Sequence, residues 1–249
     1  MPGGNILRYL TKLPMTTRFF LPVLLAMPLL GMAQMSELSR GSNGVFNNGY
    51  SLVPSSSGQV RGNPFLVLGW LPASLQLVGN TTPTPTTLRY DIYRQELRVQ
   101  RPQGDSVVVP LNRVKEFSLT GLNRRFVCYP AASLPADVAG SCAEVLADGP
   151  HLQLLKFVNK KLVKQPSEQG GYASNTMVDA LEETTAYYLR WPADGHLAAV
   201  RLKRGSLEQA LSGQPAALAA LKARKGGLST EVEVAAAVLA IDPMVVLGK

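Results

Sequence analysis

Residues 88–99 read LRYDIYRQELRV, and this stretch decides the fold. Leu88, Tyr90 and Ile92 alternate with Arg89 and Asp91, and further on Leu97 and Val99 alternate with Glu96 and Arg98. A period of two sends alternate side chains to opposite faces of a strand, so both runs read as half-buried strands joined by a short turn. The pattern extends outward in both directions. Upstream, Leu75 and Leu77 alternate with Ser74 and Gln76. Downstream, Pro102-Gln103-Gly104-Asp105 turns the chain into residues 106–109, Asp148-Gly149 follows residues 143–147, and Asp194-Gly195 joins residues 187–189 to 198–202. Such short connections force antiparallel pairing. Thr81 to Thr87, TTPTPTT, reads as an extended loop.

The period changes after Arg204. Ser206-Leu207-Glu208-Gln209 has the form of a capping box, Pro215 is placed to open a second helix, and Gly226-Gly227 stops it. Thr230 with Glu233 repeats the capping pattern ahead of Val234, Ala235, Val238, Leu239 and Ile241. The expected class is therefore α+β: a mainly antiparallel sheet built from successive hairpins over residues 64–205, with three short C-terminal helices in residues 206–249 packed on it. Leu207, Leu211, Leu218, Leu221, Val238 and Ile241 supply the apolar cover.

Residues 19–30, FFLPVLLAMPLL, follow Arg18 and precede Gly31-Met32-Ala33. A basic start, a short apolar run and small residues together make residues 1–33 a signal peptide cut after Ala33, and the run is too short for a membrane span. A start at Met15 gives a leader of ordinary length, with residues 1–14 an over-extension of the gene start. Residues 34–63 are rich in Ser, Gly and Asn and read as a flexible leader. The expected location is extracytoplasmic, periplasmic or secreted, with no transmembrane span in the mature chain.

The 249 residues are 46% hydrophobic and 17% charged, which excludes a disordered chain as the main reading. Removing Arg8, Lys12 and Arg18 with the signal peptide lowers 25 basic residues to 22 against 17 acidic, a net +5. That balance favours anionic surfaces but is no dense basic stripe, and nucleic acid is not expected as a partner.

Several motifs carry a resemblance when taken in order. Asn63-Pro64-Phe65-Leu66, Trp70 leading to Leu75-Gln76-Leu77, residues 88–97 and Val114-Lys115-Glu116-Phe117 come first. Val145-Leu146-Ala147-Asp148-Gly149, Tyr187-Tyr188-Leu189 and Arg201-Leu202-Lys203 continue it. Over residues 63 to 241 the chain resembles a family of exported Bacteroidetes-type proteins with no assigned activity. The resemblance implies no catalytic residue, and Pro150 and an Ala/Val-rich last helix depart from it.

Cys128 and Cys142 have 13 residues between them, each beside a strand. Compartment and even count point to a disulfide, worth roughly 3 kcal/mol for a loop of about 15 residues, with two buried free thiols as the alternative. His151 and His196 follow turns and share no metal spacing with the cysteines. No G-x-S-x-G elbow and no phosphate loop occurs. No catalytic residue, cofactor-binding residue or metal ligand is therefore expected, and no cofactor.

Lys156, Lys160, Lys161 and Lys164 form a basic stretch that reads as a solvated face or a contact for anionic polymer, and Asp105-Ser106-Val107 has the form of a bacterial O-glycosylation acceptor. The function these features predict is a non-enzymatic cell-envelope protein binding an envelope protein or an anionic surface polymer. The alternative is an envelope polymer-acting hydrolase using paired carboxylates such as Asp91 and Glu96, which need to converge within about 5 to 9 Å.

Overall fold

Alternating apolar residues produce ten strands: β1 (Leu71–Leu77), β2 (Thr84–Asp91), β3 (Glu96–Gln100), β4 (Ser106–Pro110), β5 (Val114–Leu119), β6 (Arg124–Cys128), β7 (Cys142–Asp148), β8 (Gln153–Pro166), β9 (Met177–Arg190) and β10 (Leu197–Val200). Three helices follow: α1 (Arg204–Ala210), α2 (Pro215–Ala223) and α3 (Glu231–Ile241). The structure is a computed structural model and describes residues 60–166 and 177–246. The expected signal peptide over residues 1–33 and the expected leader up to residue 59 lie outside the described residues.

All neighbouring strands pair antiparallel in one sheet of order β10-β9-β8-β7-β6-β5-β1-β2-β3-β4. The class is α+β, as the alternation predicts. One link is not a hairpin: after β4 the chain returns across the sheet and β5 pairs with the free side of β1, Leu75 facing Phe117. Residues 84–87, read as loop, belong to β2. Pro85 is tolerated there because β2 pairs with β3 only from Thr87 onward, so at Pro85 it has one neighbour.

One face of the sheet carries two cores. Over β1–β6, Leu88, Tyr90, Leu97, Phe117 and Phe126 pack together, with Phe117 and Phe126 stacked at 4.7 Å between ring centroids and Tyr90 edge-on to both. The sheet coils to close this core. Val158 of β8 joins it, and the Lys160 N–H donates to the Ile92 carbonyl at 3.1 Å. A strap over residues 60–66 completes the closure. The Arg61 N–H donates to the Asp179 carbonyl, the Leu66 N–H to that of Tyr90, and the Lys160 ammonium to the carbonyls of Asn63 and Phe65. The folded chain thus begins before Pro64, inside the stretch read as leader.

On the same face over β7–β10 the helices supply the cover. Leu207, Leu211, Leu221, Val234, Val238 and Ile241 pack on Leu154, Leu189 and Val200, all nine buried. On the opposite face, Leu134 and Val138 of the β6–β7 loop cover Leu155, Phe157 and Tyr188. The two helix starts differ from one another. The Thr230 box forms as expected, with the Glu233 N–H donating to the Thr230 hydroxyl and the Thr230 N–H to the Glu233 carboxylate. The Ser206 box does not form. Helix α1 starts two residues earlier because Arg204 donates to the carbonyls of Leu221, Arg224 and Gly226, while the Ser206 hydroxyl accepts from the Arg201 N–H. Leu239 is exposed, and Ala237 takes the buried place on that face.

Asp242, just after α3, fixes the helices to the sheet. Its buried carboxylate accepts the N–H groups of His151 and Leu152 at 2.9 and 2.6 Å, satisfying the β7–β8 turn. Gly149 is required by this close approach, because a Cβ there would meet Asp242 and would lie 2.7 Å from the Leu152 carbonyl oxygen. Gly149→Ala is expected to cost about 1–3 kcal/mol by overpacking, measured by urea denaturation. An unchanged midpoint would contradict the plug.

Candidate functional site

The two cysteines face each other across β6 and β7, Cys128 opposite Cys142, and are joined as a disulfide with Cα atoms 4.2 Å apart. The bond closes the loop over residues 129–141, whose Asp137 accepts from the Tyr188 hydroxyl at 2.8 Å. Burial, together with that carboxylate, leaves the Tyr188 phenol pushed up to about 12. This is structural chemistry rather than a reacting pair.

The histidines take up separate positions. His151 lies beside Asp242 at 3.4 Å. His196 packs on Trp191, ring centroids 5.1 Å apart, in an open cleft of about 450 Å3 that also holds Asp194 and Gln214. Among the described residues the lining of that cleft includes no hydroxyl or thiol side chain. Among the described residues no group of three His, Cys, Asp or Glu side chains is placed to hold a metal, and no helix is long and apolar enough to cross a membrane.

The basic stretch on β8 is met by acids on β9. Lys160 faces Glu183, Lys161 faces Glu182, and Lys164 faces Asp179 with an ion pair of 2.6 Å. Lys156 pairs with Glu231 at 2.7 Å.

That last contact belongs to a polar seam dividing the two cores. Arg124 donates twice to the buried Glu144 carboxylate, at 2.7 and 2.6 Å, and the Tyr187 hydroxyl donates to Glu231 at 2.7 Å. Burial alone would raise the Glu231 carboxyl, yet bonds from Lys156 and Tyr187 and the charges of Lys156 and Arg124 outweigh it and hold the group below its ordinary 4.5. A depressed folded pKa contributes stability that is present above the unfolded pKa and lost as pH falls through the folded one. Denaturation below pH 4.5 should therefore show a smaller acid loss for Glu231→Gln than for the parent chain. Equal slopes would remove Glu231 from the acid response.

The outer face of β2–β3 holds the remaining candidates. The hairpin register sets Asp91 opposite Glu96 and Arg89 opposite Arg98, so the two acidic residues proposed from sequence are cross-strand neighbours. Asp91, however, has no exposed surface, whereas its alternation with Leu88 and Tyr90 predicted a wet position. Its carboxylate accepts the N–H groups of Tyr93 and Arg94 at 3.1 and 2.8 Å and pairs with the Arg94 guanidinium at 3.4 Å. It holds the turn together. Gln76, also read as wet, is buried and donates to the carbonyls of Asn80 and Thr81.

Sequence reasoning missed the arginines. The Arg89 guanidinium lies 3.7 Å from the Phe65 ring centroid and 5.5 Å from that of Trp70, and Arg98 lies 5.6 Å from Phe65. Burial and the facing Arg98 charge push the Arg89 guanidinium below its ordinary value, against the pull of Asp91. The signal was available in principle, since residues 89 and 98 are equidistant from the turn. Thr87 and Gln100 continue the same face, and Ser106 faces Gln100 from β4.

No protein-family model, curated protein or solved structure matches this chain.

Proposed function

We propose that the chain is an exported, non-enzymatic cell-envelope protein that works by binding a protein or surface-polymer partner through the polar outer face of β1–β4. The observation that carries this reading is the sealed Asp91. A carboxylate whose oxygens are occupied by two backbone N–H groups and a guanidinium, out of contact with water, cannot exchange protons with a substrate, so its pairing with Glu96 does not make an acid–base couple. The neighbouring face instead presents side chains suited to recognition: Thr87, Gln100 and Ser106 with two guanidiniums. Export is supported by the apolar leader and by the disulfide, since disulfides persist in oxidising compartments.

The test uses the protein recovered from its own cells. N-terminal sequencing should place Gln34 first in an extracytoplasmic fraction, and the purified chain should be retained on isolated envelope material at low salt and released at high salt. A cytoplasmic protein still carrying residues 15–33, or a chain that passes the envelope material at low salt, would overturn the proposal.

A further inference from the structure

Among the described residues the Arg89 guanidinium makes no hydrogen bond and no ion pair, and its Nε–H is buried without an acceptor. A buried donor left unmade costs about 1–3 kcal/mol, more when charged, and a second like charge directly across the hairpin adds repulsion. Stacking on Phe65 and Trp70 holds the plane of the guanidinium but satisfies none of its five donors. An oxyanion would give the guanidinium's N–H groups a charged acceptor. Two residues along the same strands, Thr87 and Gln100 line an open cleft of about 580 Å3 together with Pro85, Arg101 and Pro102. Arg101 is already paired with Asp105, so this part of the cleft is polar but not strongly charged.

We propose that Arg89, held between Phe65 and Trp70 and facing Arg98 across the β2–β3 pair, receives an oxyanion carried on a sugar, so that the ligand is an acidic polysaccharide. This rests on the binding reading above and names its ligand. The guanidinium fork takes a carboxylate or sulfate through paired N–H donors. Adjoining hydroxyl and amide side chains suit the hydroxyls of the next ring in the cleft, and the half-buried Trp70 indole offers an apolar surface to a sugar ring. An acidic peptide such as polyglutamate offers the fork a carboxylate but carries no ring to lie on the Trp70 face.

The experiment titrates the mature chain with oligogalacturonate, dextran sulfate, neutral dextran and polyglutamate, following the Arg89 Nε–H resonance by NMR and affinity by calorimetry. A shift of that resonance with either acidic oligosaccharide and none with neutral dextran is expected, the first two probes separating carboxylate from sulfate. Arg89→Gln should weaken binding by about tenfold or more, as loss of charged hydrogen bonds implies, and Arg89→Lys should recover part of it. Because the resonance is read on the parent chain, the proposal is tested even if the Gln variant does not fold. An unmoved Arg89 resonance, equal binding of neutral dextran, or tighter binding of polyglutamate would overturn it. Retention on envelope material with an unmoved Arg89 defeats this site alone, whereas loss of both defeats the binding reading itself.

Discussion

Deletion of residues 204–249 is expected to yield an insoluble or molten β-sheet rather than a smaller folded domain. Leu207, Leu211, Leu221, Val234, Val238 and Ile241 are each 3% exposed or less, and they cover Leu154, Leu189 and Val200 across β8, β9 and β10. Burial of such side chains contributes about 1.5–3 kcal/mol each, and only a few of them match the ~5–15 kcal/mol by which a typical domain is stable. The loss is larger than apolar area alone, because Asp242 goes with the helices and leaves the N–H groups of His151 and Leu152 without their acceptor. The readouts are sedimentation, dye binding and near-ultraviolet dichroism of the truncated chain. A monomer with native dichroism and an unchanged melting temperature would show the helices to be a separate module.

The second large effect is expected from the disulfide. Replacing Cys128 and Cys142 together by Ala should lower stability by roughly 3 kcal/mol, the value for closing a loop of this length. The loop over residues 129–141 is then held by the packing of Leu134, Val138 and Tyr129 and by the Tyr188–Asp137 bond, so Phe157 and Tyr188 should become more accessible together. Guanidinium denaturation of the parent chain with and without reductant measures the first effect, and tyrosine fluorescence quenching the second. Coincident transitions in all samples would mean that the bond does no more than fill space.

The hairpins could be read residue by residue because alternation and turn chemistry are local. The antiparallel class and the α3 capping box follow from such local signals, whereas the disulfide followed from the even cysteine count and the expected compartment. What escaped the sequence depends on long-range geometry. Nothing in residues 106–119 states that β5 crosses back to β1, since a strand's partner is chosen by which apolar rows meet after the chain returns. Alternation marks which residues share a face but not whether that face is wet, and so Asp91 and Gln76 were misplaced once the strap and neighbouring loops covered them. The Ser206 box failed for a related reason. Arg204 found carbonyls at and just beyond the end of α2, more than fifteen residues away, which no local pattern could announce.

The candidate site shows the same division. Phe65 and residues 88–97 stand out in the sequence, and Asp91 and Glu96 were the candidates among them because paired carboxylates have a named chemistry. The structure pairs Asp91 with Glu96 and then occupies Asp91 with the turn's own N–H groups, while Arg89 is left with donors and no acceptor. The register that brings the acids together also brings the arginines together.

Binding without chemistry is open to a direct time-course assay. The mature chain is incubated with isolated envelope material, and both retained protein and released soluble fragments are followed over time, for the parent, Asp91→Asn and Glu96→Gln chains. Salt-sensitive retention of all three chains, with no fragments above background, is expected. Fragments released by the parent chain and abolished by either substitution, with the variant still folded and retained, would contradict it and establish a hydrolase.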